Sequence, residues 1–429
     1  MRILFLSHYF PPEVNAPASR TFEHCKQWVN KGHEVTVVTC APNHPQGVIY
    51  DGYQNRFYQR EETNGMRVLR LWTYVTANKG LLKRTLNYIS YMISAIVAAP
   101  FLSNVDIVIS TSPQFFNGLA GFVVSRLKRI PWVLEIRDLW PESILAVGAF
   151  NNKTVIKVLQ YLELFAYKNA DQIISVTDSF KTYMIEKGID GNKIQVIKNG
   201  VDLNFYNINT NNQSKTLRIL QKDKNDIHEI NLEGKFVASY VGTHGMAHQL
   251  ETVLEAANLL RDQTDILFLL VGDGAERDNL LKKKQEMQLD NVIMLEQQPK
   301  TMMPQLWQVS DVSMVLLKKS ALFKTVIPSK IFESLAMKKP VILGVQGESQ
   351  KIIEAANAGI CIAPENHQQL ANAVVSLYNC PALINEYSEN GRLHVETYFD
   401  RKKLAKQYIE ILEKVVALKS CKDHKVVYK

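Results

Sequence analysis

The sequence predicts an α/β protein with more than one parallel-sheet domain in its 429 residues. Short apolar, β-branched segments alternate with helical segments through both halves of the chain, as in "MRILFLSHYF" and "GKFVASYVGT". Apolar segments without polar alternation are typical of strands buried on both faces of a parallel sheet. The length also exceeds one ordinary hydrophobic core, so each half should form its own.

The alternation predicts the strands directly. In the first half they are Arg2–Ser7, Glu34–Thr39, Arg67–Leu71, Asp106–Ser110, Trp132–Ile136, Gln172–Val176 and Lys193–Ile197. In the second half they are Phe236–Val241, Ile266–Val271, Val292–Leu295, Val312–Leu317, Pro340–Leu343 and Ile360–Ala363. We therefore predict Rossmann-like domains over 1–210 and 235–400, with the polar, Asn-rich segment 211–234 as a linker. A helix and tail follow over 401–429, and packing on the first domain is one possible destination for them.

Charge and cysteine usage narrow the class of protein. The net charge of +8 favours an anionic partner such as a nucleotide or a lipid headgroup. The basic residues are dispersed and form no nucleic-acid-binding motif, so we expect no nucleic-acid partner. Five cysteines are scattered without Cys/Cys or Cys/His spacing, which predicts reduced thiols, a cytoplasmic protein and no metal site. Pro11-Pro12 interrupts the apolar N-terminus, which we interpret as a buried strand and not as a signal peptide.

One segment invites a membrane interpretation. Residues 85–105, "TLNYISYMISAIVAAPFLSNV", carry no charge and follow Lys79, Lys83 and Arg84. The length could span a bilayer, but interspersed Asn, Ser and Pro argue against a span. A buried domain helix and an interfacial helix with a basic shoulder both remain open.

Two strand-to-helix junctions in the second half carry glycine. Gly242, Thr243 and His244 follow one strand, and a glycine loop leading into a helix is the recipe for an anion site. A plain turn explains the same pattern equally well. "GDG" at 272–274 follows the next strand and is first of all a turn signal.

The stretch "TVIPSKIFESLAMKKPVILGV" places Lys330 and Glu333 on one helix face. They could form a surface ion pair worth a few tenths of a kcal/mol. Alternatively, Ser329 and Lys330 meet a phosphate while Glu333 accepts hydrogen bonds from two vicinal hydroxyls, as carboxylates do with ribose. Lys before Glu is the poorer order for a helix ion pair, which favours a ligand.

The run from Tyr240 to Ile342 resembles the C-terminal half of the retaining family-4 glycosyltransferases, which have the GT-B fold, with two Rossmann-like α/β/α domains facing across a cleft. Glu333 matches the second Glu of the family's Glu-x7-Glu motif, whereas the first falls on Thr325. Thr243 stands where the family has a diphosphate-binding Arg. Both departures, together with "ILFLSHYFPPEVNAPASR", "LEIRDLWPES" and "VIKNGVDLNFY", are similar to the WbuB-like, fucosamine-transferase-like subfamily.

The resemblance implies three groups of site residues. The donor-binding group would be Gly242, Thr243, His244, Gly272, Asp273, Gly274, Ser329, Lys330 and Glu333. The catalytic group would be Arg137, Asp138 and Lys330. The acceptor-binding group would be Arg20, His44, Arg137 and Asp138. Two of these positions have a simpler alternative, because Arg137–Asp138 could be an adjacent-charge pair at a strand end and His44 could only stabilise its loop.

The resemblance further implies transfer of an N-acetylated hexose from a UDP-linked donor, with retention and without a metal or cofactor. The acceptor would be a polyprenyl-diphosphate-linked saccharide of O-antigen or capsule assembly, met at the inner face of the plasma membrane. Alternatives are a nucleotide-sugar epimerase on the same fold and a non-catalytic membrane-surface protein. A Rossmann oxidoreductase is disfavoured because no GxGxxG follows the first strand.

Overall fold

The computed structural model describes residues 1–44, 46–76, 81–102, 104–146, 152–207, 214–220 and 227–427. The chain divides into two compact units. Met1–Asn199 and Arg401–Lys429 form the first, and Gly200–Asp400 form the second. The chain therefore leaves the first unit after Asn199 and returns to it at Arg401.

The first unit is built on a mainly parallel sheet. Its strands are β1 (Arg2–Leu6), β2 (Glu34–Cys40), β3 (Tyr58–Thr63), β4 (Met66–Leu71), β5 (Ile107–Thr111), β6 (Trp132–Ile136), β7 (Gln172–Ser175) and β8 (Ile194–Val196). Within the described ranges their order is β3-β4-β2-β1-β5-β6-β7-β8, and only β3 runs antiparallel to its neighbour. Its helices are α1 (Ala16–Asn30), α2 (Leu81–Ala98), α3 (Phe115–Lys128), α4 (Glu142–Ala146), α5 (Lys153–Asn169) and α6 (Asp178–Glu186).

The second unit repeats the plan with a fully parallel sheet. Its strands are β9 (Thr216–Leu220), β10 (Ile227–Asn231), β11 (Phe236–Val241), β12 (Ile266–Val271), β13 (Val292–Leu295), β14 (Val312–Leu316), β15 (Val341–Gly344) and β16 (Gly359–Cys361). The main sheet has the order β13-β12-β11-β14-β15-β16, and β9 and β10 form a separate antiparallel pair. Its helices are α7 (Glu251–Leu259), α8 (Arg277–Glu286), α9 (Met303–Val309), α10 (Lys330–Ala336), α11 (Glu348–Ala356), α12 (His367–Tyr378) and α13 (Pro381–Tyr398).

All thirteen predicted strands are confirmed, with ends that shift by at most two residues. The strands that the sequence missed are β3, β9 and β10, which all pair in antiparallel fashion. β3 alternates between exposed and half-buried side chains and is mostly polar, so it lacks the apolar run that marks a buried parallel strand.

The linker prediction for 211–234 is wrong in the part of that segment that the structure describes. β9 and β10 pair with each other, and Leu217, Ile219 and Leu232 are buried in the core of the second unit. The outward face of the hairpin carries charge, including the exposed Arg218–Glu229 pair, which explains the polar composition. The boundary between the units consequently lies at Asn199–Gly200, ahead of the predicted 210.

The last helix, α14 (Arg401–Val427), packs on the first unit. The indole Nε1 of Trp28 on α1 donates to the carbonyl oxygen of Ala405 at 3.0 Å. Tyr408 and Leu412 are fully buried in the same core cluster as Trp28. The helix whose destination the sequence left open therefore closes the core beneath α1.

Helix α2 has two different apolar faces. Tyr88, Tyr91 and Ala95 are buried in the first unit. Large exposed apolar side chains line the other face at helical spacing, namely Leu82, Leu86, Ile93 and Val97. Among the described residues no helix is long and apolar enough to cross a membrane. Lys79, predicted as part of the basic shoulder, lies outside the described residues.

Arg20 corrects one prediction of the site. Its guanidinium is buried and donates to Glu135 Oε1 at 2.9 Å and to the carbonyl oxygens of Ile197 and Lys198. It also donates to Asn199 Oδ1 at 3.1 Å. These four bonds occupy the guanidinium inside the protein, so Arg20 is a structural residue and not a phosphate or acceptor contact.

Burial alone would disfavour the charged form of Glu135, but Arg20 and Arg137 outweigh burial and hold the pKa of Glu135 below its ordinary value. Removing Arg20 would leave a carboxylate in the core without its main counter-charge. Breaking a buried ion pair by deleting one partner costs about 3–5 kcal/mol.

We predict that Arg20→Met lowers the free energy of unfolding by about 3–5 kcal/mol, measured by urea denaturation. The matched control is Arg67→Met, which removes an exposed Arg paired with Glu34 on the same sheet and should cost at most about 1 kcal/mol. Equal losses in the two variants would contradict the structural role of Arg20.

Candidate active site

Two loops meet at the carboxyl ends of β11 and β12, which are neighbours in the second sheet. The backbone N–H of His244 donates to the carbonyl oxygen of Asp273 at 2.9 Å, and that of Glu276 donates to the carbonyl oxygen of His244 at 2.9 Å. A Cβ atom placed on Gly272 would lie 1.8 Å from the carbonyl oxygen of Gly242, so the packing of the loops excludes any side chain there. The close packing of the two loops is therefore enough to explain why glycine stands at 272 and 274.

The two histidines of the first loop are neutral at pH 7. Burial, followed by the charge of Arg277, lowers the pKa of His244 to about 4. Burial also lowers the pKa of His248 to about 3, and His248 Nδ1 lies 3.4 Å from the carbonyl oxygen of Leu316. Both ring nitrogens of His244 lack a hydrogen-bond partner within the described chain. These histidines therefore do not supply the positive charge that the missing family Arg would have supplied.

Lys330 supplies a cation at the same place. Its Nζ lies 3.7 Å from the centroid of the Tyr240 ring, and a Cβ on Gly242 would lie 2.7 Å from that Nζ. No hydrogen-bond partner for this buried Nζ is present in the described part of the chain. Burial, only partly offset by Glu333, lowers the pKa of Lys330 to about 7. The amine therefore sits beside the glycine loops in an environment that lacks a strong counter-ion.

The other positions of the stretch 325–345 that matter for the site lie around the start of α10. Ser329 precedes the helix and makes no side-chain cap, and Glu333 lies one turn after Lys330. Thr325, at the first Glu position of the family motif, donates its hydroxyl to the carbonyl oxygen of Leu322 at 2.6 Å. Thr325 therefore serves a local turn, and its hydroxyl does not replace a carboxylate.

Sequence reasoning missed two contributors to this site. Tyr240 provides the ring under the Lys330 amine, and Tyr240 Oη donates to the carbonyl oxygen of Thr243 at 2.8 Å. Arg277, at the start of α8, donates Nε to the carbonyl oxygen of Gly272 at 3.3 Å. The only sequence signal was their position next to a glycine loop, which does not reveal where a side chain turns.

Arg137 and Asp138 are adjacent in the sequence, but their side chains lie in different surroundings within the first unit. Burial, partly opposed by the charge of Glu135, lowers the pKa of Arg137 to about 9, and Nε and Nη1 have no partner among the described residues. Burial raises the pKa of Asp138 to about 6. The charged neighbours of Arg137 and of Asp138 are different residues, so the two side chains are not simply an adjacent-charge pair.

Asp138 lines a pocket at the carboxyl ends of β5 and β6. The rings of Phe115 and Trp140 stack there with centroids 5.5 Å apart. Glu163 lies in the same wall, accepts a hydrogen bond from Tyr167 Oη at 2.8 Å, and has its pKa raised by burial to about 8. Aromatic rings thus form one wall of this pocket around Trp140, together with a second acidic group that the sequence did not signal.

His44 lies at a second pocket of the first unit. Its backbone N–H and that of Asn43 each donate to Glu13 Oε1 at 2.9 Å, and its carbonyl oxygen accepts from Tyr50 Oη. Burial, together with Arg84, lowers the pKa of His44 to about 4. The loop is thus held by its backbone, which leaves the imidazole free to line the pocket.

No group of three or more His, Cys, Asp and Glu side chains among the described residues is arranged to hold a metal ion.

Both units match known protein families. Residues 15–200 match the glycosyl transferase 4-like domain, and residues 222–394 match the glycosyl transferases group 1. The putative colanic acid biosynthesis glycosyl transferase WcaI of Escherichia coli K12 is 25% identical, over 95% of this chain and 99% of its own length.

Solved structures show the same architecture. Sucrose-phosphate synthase from Thermosynechococcus elongatus aligns with a TM-score of 0.74 at 16% identity, covering 97% of this chain and 99% of its own. Anabaena Alr3699/HepE, solved in complex with UDP and glucose, aligns with a TM-score of 0.70 at 20% identity over 96% of this chain and 99% of its own. The order of the two matched domains, the two parallel sheets and these neighbours together identify the chain as a glycosyltransferase with the GT-B fold.

Proposed function

We propose that this glycosyltransferase moves an N-acetylated hexose from a UDP-linked donor to a polyprenyl-diphosphate-linked saccharide, with retention and without a metal. Its setting would be surface polysaccharide assembly, O-antigen or capsule, at the inner face of the bacterial plasma membrane. The name of the Escherichia coli relative, a colanic acid biosynthesis glycosyl transferase, supports the pathway class. The UDP and glucose bound to the Anabaena neighbour support the donor class.

The observation that carries the proposal is the amine of Lys330. A buried amine that has no hydrogen-bond partner among the described residues costs free energy in the free protein unless a ligand pairs with it. A nucleotide diphosphate would supply that partner. When the sugar–diphosphate bond breaks, negative charge develops on the leaving oxygen, and a fixed cation in a site shielded from water stabilises it strongly.

Glu333 completes the donor site in this proposal. It lies one turn beyond Lys330, where its carboxylate can accept hydrogen bonds from the two ribose hydroxyls. Gly242 leaves room for the Lys330 amine, and Gly272 lets the two loops pack against each other. Thr243, His244, Asp273, Gly274 and Ser329 would line the same surface.

The transfer breaks the bond between the anomeric carbon and the diphosphate oxygen, and the electron pair leaves with the diphosphate. A new bond forms between the anomeric carbon and the acceptor oxygen on the same face of the sugar. The acceptor hydroxyl proton passes to the leaving phosphate oxygen. Asp138, with its pKa near 6, is ionised at neutral pH and would orient an acceptor hydroxyl against Trp140, while Arg137 adds positive charge to the first unit.

The exposed stripe on α2 supports the membrane part of the proposal. Leu82 and Val97 are 75% and 63% exposed, and Phe101 just beyond the helix is 81% exposed. Exposed Phe57 stacks on Trp72, whose carbonyl oxygen accepts a hydrogen bond from Ser94 on α2. An apolar helix face beside aromatic rings and a basic Lys83 is typical of segments that lie in the membrane interface.

We predict that UDP raises the melting temperature of the wild-type protein and not that of Lys330→Met or Glu333→Ala. A ligand at a hundred times its dissociation constant adds about 2.7 kcal/mol of stability. Because the buried Lys330 amine has no hydrogen-bond partner in the described part of the chain, Lys330→Met should melt at or above the wild-type temperature without ligand. Differential scanning fluorimetry measures both effects.

The control for this experiment is Lys282→Met, which removes an exposed lysine from α8 in the same unit. It should keep the full UDP shift. An undiminished UDP shift in Lys330→Met and Glu333→Ala would refute the donor site, and no shift in any protein would refute UDP as the nucleotide.

UDP affinity should fall as the pH rises from 7 to 9. The free protein loses the Lys330 proton as the pH passes its pKa of about 7, whereas bound diphosphate raises that pKa and keeps the proton in place. The dissociation constant should therefore increase by up to about tenfold per pH unit. Isothermal titration calorimetry in two buffers of different ionisation enthalpy would also detect the proton taken up.

Lys330→Met should bind UDP weakly, and its affinity should stay constant between pH 7 and 9, where the phosphates remain ionised. A wild-type profile that is also flat would show that Lys330 does not pair with the diphosphate.

The double substitution Ile93→Ser/Val97→Ser should reduce sedimentation with anionic lipid vesicles by at least several-fold, because it removes apolar contact area from the exposed face of α2. The control is Leu393→Ser, an exposed apolar residue of α13 in the second unit, which should sediment like the wild type. Failure of the wild type to sediment, or an equal loss in Leu393→Ser, would argue against α2 as the membrane face.

A further inference from the structure

A polar pocket in the first unit forms where the loops after β1 and β2 meet the start of α2. Its lining includes His8, Tyr9, His44, Arg84 and Tyr88. The donor groups of the proposed function belong to the second unit, so this pocket is a separate feature of the chain.

Arg84 is the positive charge of this pocket, and the protein satisfies it only in part. Nη2 donates to Tyr88 Oη at 3.3 Å, and the guanidinium carbon lies 5.8 Å from the centroid of the Tyr88 ring. Nε is buried and has no hydrogen-bond partner among the described residues. Arg20 in the same unit makes four hydrogen bonds, whereas Arg137 shares the incomplete satisfaction of Arg84 among the described residues.

The neighbours of Arg84 are donors or neutral groups. Burial lowers the pKa of His8 to about 3 and that of His44 to about 4, so neither carries charge at neutral pH. His8 is 4% exposed and leaves Nδ1 without a partner within the described residues. The phenol oxygens of Tyr9 and Tyr88 lie 3.4 Å apart, and burial raises the pKa of Tyr9, which keeps that phenol protonated.

Two carboxyl groups lie near enough to influence the pocket: Glu13 is partly neutral at pH 7, whereas Asp138 stays mostly ionised. Burial raises the pKa of Asp138 to about 6 and that of Glu13 to about 7. Glu13 already accepts two backbone N–H bonds from the loop that carries His44. The local charge balance therefore leaves room for an added anion next to Arg84.

We propose that this pocket binds a phosphate or diphosphate group, with Arg84 as its ion-pair partner and Tyr88 and His44 as polar contacts. Guanidinium groups suit phosphate because their fixed donors match its oxygens. The inference deepens the proposed function and rests on it in one respect: the group held would be the phosphate of the acceptor.

The source of the phosphate follows from the same helix. α2 carries Arg84 toward the pocket and Leu82, Leu86, Ile93 and Val97 toward the outside. A ligand that offers both an anionic head and an apolar chain would engage both faces. A phosphorylated lipid has that chemistry, whereas free diphosphate has only its anionic part.

The test is calorimetric titration of the full chain in saturating UDP, which keeps the donor site occupied. The three probes are geranyl diphosphate, inorganic diphosphate and geraniol. The variants are Arg84→Gln, Arg84→Lys and Lys83→Gln, where Lys83 is the exposed neighbour on α2 and loses the same charge. Melting temperatures without probe show whether each variant is folded.

Geranyl diphosphate should bind at least about tenfold more weakly to Arg84→Gln than to the wild type. Lys83→Gln should change the affinity less than about twofold, because exposed charges are screened by solvent and salt. Arg84→Lys should retain part of the affinity because it keeps the charge. If Arg84→Gln does not fold, Arg84→Lys and Tyr88→Phe still test the site, since each should weaken binding without removing the charge.

The probes distinguish the sources of phosphate. Binding of geranyl diphosphate with weak or absent binding of inorganic diphosphate supports a lipid headgroup, and equal Arg84-dependent binding of both supports a free phosphate group. Geraniol binding as tight as that of geranyl diphosphate, equal losses in Arg84→Gln and Lys83→Gln, or competition of the probe with UDP would each overturn the proposal. The rise in melting temperature caused by UDP is measured in the same proteins. It would be absent if the donor site is wrong, whatever the result at Arg84.

Discussion

The buried ion pair of Arg20 and Glu135 is the constraint on which the first unit depends. It joins α1 to β6, and the same guanidinium binds the backbone carbonyl oxygens of Ile197 and Lys198, where the chain leaves the unit. Thr111 Oγ1 donates to the other carboxylate oxygen of Glu135 at 2.6 Å, which adds β5 to the connection. Desolvating two charges is tolerated only when hydrogen bonds satisfy nearly every donor and acceptor, as they do here. The strand ends that carry Ser112, Arg137 and Asp138 are thereby held in fixed positions.

The buried cations of this protein differ in how many of their hydrogen-bond donors have a partner. Arg20 is saturated by internal acceptors, so it holds the fold together. Lys330 and Arg84 are buried at the charged end and keep an unpaired donor atom within the described chain. A native protein tolerates few such atoms, because each costs free energy in the absence of a partner. Unsatisfied donors of this kind are therefore better markers of ligand sites than the mere presence of a basic residue.

The sequence predicted the architecture well because apolar strand segments and short crossovers are local signals. It failed at β3, β9 and β10, whose stability comes from antiparallel pairing and packing with distant residues and not from a buried apolar run. The predicted positions of the site side chains agree with the structure in one case and disagree in another. The structure places the Lys330 amine beside Gly242, since strand order brings β11, β12 and β14 together, whereas the role of Glu333 stays a prediction. It assigned Arg20 to the site, because the internal acceptors at 197–199 are almost 180 residues away in sequence and periodicity cannot show such a contact.

The comparison of Lys330 with Arg84 leads to a physical account of why such groups persist. A lysine with a pKa near 7 gives up much of its charge in the free protein, which limits the cost of its burial. An arginine keeps its charge at any physiological pH, so its burial must be compensated by partial exposure and by the face of an aromatic ring, as Tyr88 provides. A lysine site consequently responds to pH and to an arriving anion by gaining charge. An arginine site offers constant attraction that depends on geometry. A donor phosphate that leaves during the reaction suits the first arrangement, and an acceptor phosphate that only has to stay in place suits the second.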